Sequence, residues 1–197
     1  DRSVICVVEQ PPHVAALERL VDSGRLTRGR SYARKGQVLL IEETKDGIAA
    51  RVQGSQRTPY KIKIQIAALT DAQWDKVIDA LAEQAIFSAQ LLAGEMPQDI
   101  EQAFESAKVS LFPSQSNSLK TDCSCPDYAN PCKHVAAAHY IMGERFDEDP
   151  FLIFRLRGRT QEHVMQELRK RRAGVDEIVE EEAEESETIN IVTGIGE

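Results

Sequence analysis

The sequence predicts an α+β protein in which an antiparallel sheet of three to four strands packs against helices and carries a small metal-binding finger. Three features support this fold class. Residues 36–66 contain three short apolar segments separated by turn-forming residues, which is typical of a β-meander. Residues 70–107 carry apolar side chains at the helical period of 3.6. Residues 123–134 then hold three cysteines and a histidine.

The first third of the chain is expected to begin with a strand at 3–9 and a helix at 12–23 that ends at Gly24. The sheet should follow, with strands at residues 36–43, 47–54 and 58–66. The dipeptide Asp46-Gly47 favours a tight hairpin between the first two of these strands.

A long helix is expected after the sheet. Thr70 is its predicted N-cap, and Gln73 three residues later completes a capping box. Apolar residues keep the helical period until Gly94 ends the run. A second helix should begin near Pro97 and turn its apolar side chains inward, namely Ile100, Ala103, Phe104 and Ala107.

Four residues form a complete ligand set for a tetrahedral metal ion: Cys123, Cys125, Cys132 and His134. Three thiolates and one imidazole are typical of a structural Zn²⁺ site, which leaves no position open for water. In an extended segment the first two cysteines point to the same side of the chain. Residues 135–142 predict a helix, so Cys132 and His134 should lie in its first turn, where the helix dipole favours a thiolate.

Other interpretations explain less of this cluster. A disulfide would have to choose among three neighbouring cysteines, and a redox thiol cluster leaves the histidine without a role. A catalytic Cys/His dyad would leave two cysteines unexplained. His139 competes with His134 as the fourth ligand, but it lies on an apolar stretch where a packed histidine is commoner. Cys6 is expected to be a small buried residue.

After the finger, the sequence predicts an acidic turn at residues 143–150 and an apolar segment rich in arginine at residues 151–159. A helix capped by Thr160 is expected at residues 161–172. Residues 173–187 form an acidic low-complexity segment that is expected to be disordered or loosely helical. The alternating segment 188–193 would suit a short strand or a peptide docked on a sheet edge.

Charge is segregated along the chain. The formal net charge is −8, but residues 173–197 contribute nine acidic side chains and no basic one, so the rest is nearly neutral. Residues 28–63 hold nine Lys or Arg against three acidic residues, whereas residues 64–112 hold two against eight. A basic block can bind phosphates, although a solvated sheet face has the same composition. The candidate nucleic-acid contacts are Arg34, Lys35, Arg51, Arg57, Lys61 and Lys63 in this block, and Arg155, Arg157 and Arg159 after the finger.

Several function classes are not expected. The sequence has no run of about 18 apolar residues that would span a membrane, and no signal peptide is recognisable. Four cysteines, three of them in one metal-like cluster, fit a reducing cytoplasm. No glycine-rich phosphate loop, nucleophile elbow or catalytic pair of carboxylates stands out, so we do not expect an enzyme.

The pattern Cys-x-Cys, six residues, Cys-x-His resembles the SWIM zinc-finger family at all four ligand positions. Flanking segments are similar to bacterial SWIM proteins, namely residues 32–38, 52–60, 91–95, 149–152 and 156–159, so the resemblance spans about residues 28–165. It implies a zinc finger of a β-hairpin and a helix, without enzymatic activity, that binds DNA or proteins. Bacterial proteins of this kind often accompany Swi/Snf-type helicases.

We therefore expect four segments: an N-terminal strand and helix (1–27), a basic β-meander with a helical pair (28–112), the SWIM finger with a C-terminal helix (113–172) and an acidic tail (173–197). The expected function is a non-catalytic zinc-binding module that binds nucleic acid, with DNA favoured, beside a Swi/Snf-type helicase or similar complex. The alternative is a protein-interaction adaptor that does not contact nucleic acid. Phosphate binding would weaken steeply with salt, whereas an apolar interface would not.

Overall fold

The computed structural model describes residues 23–112, 119–127 and 129–174. The strand expected at 3–9, most of the helix expected at 12–23 and the acidic tail beyond residue 174 lie outside these ranges. In chain order the helices and strands are α1 Ser23–Arg34, β1 Val38–Thr44, β2 Gly47–Val52, β3 Tyr60–Ile66, α2 Asp71–Glu83, α3 Ala85–Leu92, α4 Ile100–Ser106, β4 Leu119–Cys123, α5 Lys133–Glu148, α6 Leu152–Leu156 and α7 at 161–174.

The chain divides into two compact units that alternate along the sequence. The first consists of Asp1–Leu69 and Ser110–Gly158, and the second of Thr70–Val109 and Arg159–Glu197. The four consecutive segments expected from the sequence therefore differ from the compact units, because β4 and α5 belong with the meander that precedes the α2–α4 insertion. No helix in the described ranges is both long enough and apolar enough to cross a membrane.

The first unit is built on an antiparallel sheet with the order β1-β2-β3-β4. The three predicted meander strands are confirmed, as is the hairpin at Gly47, where a side chain would collide with the carbonyl oxygen of Ile64. Side chains of β3 alternate between buried and exposed. The finger strand β4 pairs with β3 and places Cys123 opposite Ile62, so the finger is part of the sheet.

Helix α5 contacts all four strands, and α1 packs on α5. The two helices approach closely at Gly29, where a β-carbon would lie 2.6 Å from that of Ala136. The helix expected at 12–23 lies almost wholly outside the described residues, and the helix from Ser23 through Arg34, which includes Gly24, was not expected. Because the small residues Gly29 and Ala136 make this contact, a search of the sequence for large apolar side chains does not detect it.

The expected acidic turn at 143–150 is also wrong over most of its length. Helix α5 continues to Glu148, and Gly143 is buried within it. The apolar segment that follows contains the short helix α6, and its five apolar side chains are buried, namely Phe151, Leu152, Ile153, Phe154 and Leu156.

The second unit has its own helical core. The capping box of Thr70 and Gln73 is present, and the Trp74 and Phe104 rings pack edge to face with centroids 5.8 Å apart. The single long helix expected here is two helices, because Gln84 is extended and separates α2 from α3. The Ser88 hydroxyl donates to the carbonyl oxygen of Leu81 at 2.8 Å, which satisfies one acceptor at the break.

Candidate metal centre and cationic surface

Three short pieces of backbone bring the four predicted metal ligands together. Cys123 is the last residue of β4, Cys125 lies in the turn that follows, and Cys132 is the N-cap of α5 with His134 in the first helical turn. One ligand atom from each of these residues lies within 4.8 Å of the other three. The extended Cys-x-Cys segment and the helical Cys-x-His segment therefore converge as the spacing predicted.

The distances fit a tetrahedral Zn²⁺ ion. The Sγ atoms of Cys125 and Cys132 are 3.6 Å apart, and the Sγ of Cys132 is 3.7 Å from Nδ1 of His134. Zinc bonds of about 2.3 Å to sulfur and about 2.0–2.1 Å to nitrogen give tetrahedral separations of about 3.8 Å and about 3.6 Å. Nδ1 of His134 is thus placed as the ligand nitrogen, and His139 is buried outside the cluster.

Protons are unevenly distributed over the three thiols in the metal-free chain. The pKa of Cys132 is lowered to about 3, first because the Cys123 thiol donates a hydrogen bond to its sulfur, while burial opposes the shift. The pKa of Cys123 is raised, mainly because it is that donor, and burial raises the pKa of Cys125. One sulfur is therefore already a thiolate, and Zn²⁺ has to displace protons from the other two.

Two hydrogen bonds join the first half of the finger to the backbone of β3. The Lys61 amide donates to Oγ of Ser124 at 2.9 Å, and the Ser124 amide donates to the Lys61 carbonyl oxygen at 3.0 Å. These two bonds hold Ser124, the residue between the first two ligands, against the sheet. This contact could not be predicted from local sequence, because its partners are 63 residues apart.

The second half of the finger is held by its loop. The Asn130 side-chain amide donates to the Thr121 carbonyl oxygen, and the Thr121 hydroxyl donates to Oδ1 of Asn130 at 2.7 Å. The Asp127 carboxylate accepts from the Ala129 amide at 3.2 Å and forms an ion pair of 3.6 Å with Arg25 of α1. These contacts hold the loop that returns the chain from β4 to Cys132.

Two tyrosines that the sequence did not single out for this role pack against the His134 ring. The Tyr60 centroid is 4.6 Å from that of the imidazole, and the Tyr32 centroid is 5.4 Å from it. Nε2 of His134 is buried and has no hydrogen-bond partner in the described part of the chain. A neutral imidazole that binds metal through Nδ1 carries its proton on Nε2, so the aromatic rings contact the buried side of the ligand.

The exposed face of the sheet collects cations, three of them predicted as nucleic-acid contacts. Arg51 lies directly opposite Lys61, and Lys63 is two residues further along β3. Lys120 of β4, which the sequence analysis missed, lies opposite Gln65 on the same face. We call these four residues the cationic face: Arg51, Lys61, Lys63 and Lys120. The predicted contacts Arg34, Lys35 and Arg57 are exposed elsewhere, at the end of α1 and in the loop before β3.

The three arginines after the finger do not form the cationic cluster expected from the sequence. Arg155 contacts Glu43 at 3.1 Å and Asp149 at 2.7 Å. Arg157 is only 5% exposed and donates to the carbonyl oxygens of Ala67 and Ser110, so it stabilises the chain internally. Arg159 belongs to the second unit, where it forms an ion pair with Asp71. The apolar side chains of this segment are buried, and the arginine side chains contact carboxylates and carbonyl oxygens.

Comparison with known proteins agrees with the geometry of the metal site. Residues 108–140 match the SWIM zinc finger family. The chain is 50% identical over 160 residues to the uncharacterized protein Rv2102 of Mycobacterium tuberculosis, an alignment that covers 81% of this chain and 58% of the relative. No solved structure matches the chain. Residues 108–140 therefore contain a zinc finger similar to the SWIM family, with Zn²⁺ as the cofactor that the four clustered ligands fit.

Proposed function

We propose that this chain is a non-catalytic, cytoplasmic module whose ligand is nucleic acid, with DNA favoured. In this proposal zinc stabilises a sheet surface that binds phosphates. The observation that carries the proposal is the cationic face. Arg51 and Lys61 are directly opposite each other, an arrangement of like charges that destabilises a sheet. No ion pair to the four cations is found among the described residues, and although Lys63 lies opposite the exposed Asp122 of β4, the four cations remain in excess over that carboxylate and can bind an anionic ligand.

The zinc site and the cationic face share β3 and β4. Lys120 and the zinc ligand Cys123 are on the same strand, and the Lys61 backbone is bonded to Ser124 between two ligands. Zinc would therefore fix the pairing of β4 with β3 and so the spacing of the cations. In this account the metal contributes to binding through structure and contacts no ligand itself.

The contacts proposed here are mainly to phosphates. Lysine and arginine side chains on a solvated sheet provide charge without a fixed pattern of hydrogen bonds to base edges. The proposed association with a Swi/Snf-type helicase rests on the family resemblance alone. Since the chain spans 58% of the length of its curated relative, the activity of a longer protein would include parts beyond this module.

The test is the salt dependence of DNA binding by the zinc-loaded chain. Fluorescently labelled single-stranded and double-stranded DNA would be titrated at several salt concentrations. If the four cations each neutralise one phosphate, the logarithm of the affinity for duplex DNA falls with the logarithm of salt by a slope of about 3.6. Absent binding at low salt, or binding that is indifferent to salt, would contradict the proposal.

A second function, that of a protein-interaction adaptor, is favoured by a different observation. Leu39 and Leu40 on β1 are large apolar side chains that remain exposed, and carboxylates are concentrated beside them. Such a surface would repel phosphate. It adjoins the cationic face, because Leu40 lies opposite Arg51 in the pairing of β1 with β2.

A further inference from the structure

The outer edge of β1 is a second candidate binding surface. Among the described strands, only β2 pairs with β1, so the other side of β1 has no neighbouring strand. Leu39 is 56% exposed and Leu40 is 39% exposed, and the pairing register with β2 shifts between Val38 and Leu40. Edge strands are usually protected by charge or by irregular pairing, yet here the apolar residues are at the accessible end of the edge.

A cleft of about 300 Å³ adjoins this edge. Its floor includes apolar side chains from three elements, namely Ile41 of β1, Met142 of α5 and Leu152 of α6. Its rim carries four carboxylates, namely Glu42, Glu43, Glu148 and Asp149. We call this feature the acid-rimmed cleft. Its apolar floor suits an aliphatic side chain. Its acidic rim suits a positive charge, carried either at the end of that side chain or on a neighbouring one.

The charge of the cleft is negative even after its own arginines are considered. Arg145 pairs with Glu148 at 3.0 Å, and Arg155 bridges Glu43 and Asp149. Glu42 has no ion pair in the described part of the chain. Four carboxylates against two guanidinium groups leave the rim two charges negative, which favours a basic ligand over nucleic acid.

We propose that the β1 edge binds an extended peptide segment of a partner protein, in which apolar residues alternate with lysine or arginine. The segment would pair with β1 through main-chain hydrogen bonds as an added strand. Its side chains alternate between the two faces, so every second one would lie over the acid-rimmed cleft. The lysines or arginines would lie over the cleft, with their aliphatic stems on its floor and their charged groups near Glu148, while the apolar residues lie on the other face beside Leu40.

The probe for this proposal is a fluorescently labelled nonapeptide in which valine alternates with arginine. Its affinity for the full zinc-loaded chain is measured by anisotropy, beside the same peptide with glutamate in place of arginine and one N-methylated on the amides of one edge. The arginine peptide should bind, and both control peptides should bind at least about tenfold more weakly, since one loses charge complementarity and the other loses strand hydrogen bonds.

Variants of the chain locate the peptide. Glu42→Lys combined with Glu148→Lys should weaken the arginine peptide by about tenfold or more, because rim attraction becomes repulsion. Leu40→Asp should also weaken it. The matched control is Ile86→Asp, since Ile86 is another large apolar side chain that is 66% exposed but lies in the second unit. None of these exposed positions should alter folding, which the unfolding midpoint verifies.

Hydrogen exchange of the β1 amides decides the mode of binding. The amides of β1 that do not donate to β2 should exchange quickly in the free chain and become protected when the arginine peptide is added. Equal binding of the arginine and glutamate peptides, or full binding by the doubly reversed variant, would overturn the proposal. Protection of those amides in the free chain would also overturn it, because the edge would then be occupied by a segment of this chain.

Discussion

Lys61 and Ser124 exchange two hydrogen bonds, 2.9 Å and 3.0 Å long, and thereby join the cationic face to the residue between two zinc ligands. The Lys61 side chain is exposed to solvent, while the Lys61 backbone binds the finger. Metal binding and the placement of surface charge are therefore coupled through one residue pair. The predictions below test this coupling and the geometry around it.

Removal of a zinc ligand should unfold the finger. We expect Cys132→Ser to lose the bound zinc and to lower the unfolding midpoint by at least about 10 °C, since a structural metal contributes several kcal/mol to folding. Zinc content by atomic absorption and thermal unfolding by circular dichroism measure the two effects. His139→Gln is the control, and it should retain one zinc per chain. Retained zinc in Cys132→Ser would contradict the assigned ligand set.

Zinc affinity should rise with pH. The raised pKa values of Cys123 and Cys125 mean that the metal-free chain holds protons there, whereas Cys132, with a pKa of about 3, is already a thiolate. Zinc binding above pH 7 then releases about two protons, and the logarithm of the affinity rises by about 2 for each pH unit. Competition with a chelator at several pH values measures this slope. A slope of three would show that all three thiols are protonated before binding.

Replacement of Tyr60 by a smaller side chain should weaken zinc binding. Tyr60→Leu removes the ring that packs on His134, so we expect about a tenfold loss of zinc affinity, as for other residues that orient a metal ligand. Tyr60→Phe keeps the ring and should restore the affinity to nearly that of the unchanged chain. The visible spectrum of the cobalt-substituted chain reports the ligand geometry in each variant. Equal affinities of the leucine and phenylalanine variants would argue against this role.

Addition of one methyl group at Gly29 should destabilise the first unit. A β-carbon there would lie 2.6 Å from that of Ala136, so α1 must move away from α5. We expect Gly29→Ala to lower the free energy of unfolding by about 1–3 kcal/mol, although alanine is otherwise the better helix residue. Denaturant unfolding provides the measurement. Gly174→Ala is the matched control, because a β-carbon at Gly174 meets no atom within 4 Å, and it should change stability little.

Features that depend on neighbouring residues in the chain could be predicted from the sequence. The capping box at Thr70, the alternation of β3 and the convergence of Cys123, Cys125, Cys132 and His134 all follow from local spacing. The same alternation places Lys61 and Lys63 on one face, whereas Arg51 joins them through the pairing of β2 with β3, and their binding of nucleic acid stays a prediction.

Features that depend on distant residues could not be predicted. Arg157 looked like a surface cation, and only the folded chain shows its guanidinium between the carbonyl oxygens of Ala67 and Ser110. The break at Gln84 interrupts a helical period that the sequence continues without a helix-breaking residue. The insertion of residues 70–109 between β3 and β4 coincides with the change from a basic to an acidic composition, but that change does not show that the chain returns to the sheet at β4.

Phosphate binding by the cationic face can be measured through single charge reversals and the salt slope of duplex DNA binding. Lys63→Glu should weaken binding at low salt and reduce the slope by about one unit or more, because at least one phosphate contact is lost. Lys76→Glu, an equal change of charge at an exposed site in the second unit, should leave the slope unchanged. Equal effects of the two reversals, or no effect of Lys63→Glu, would contradict the account.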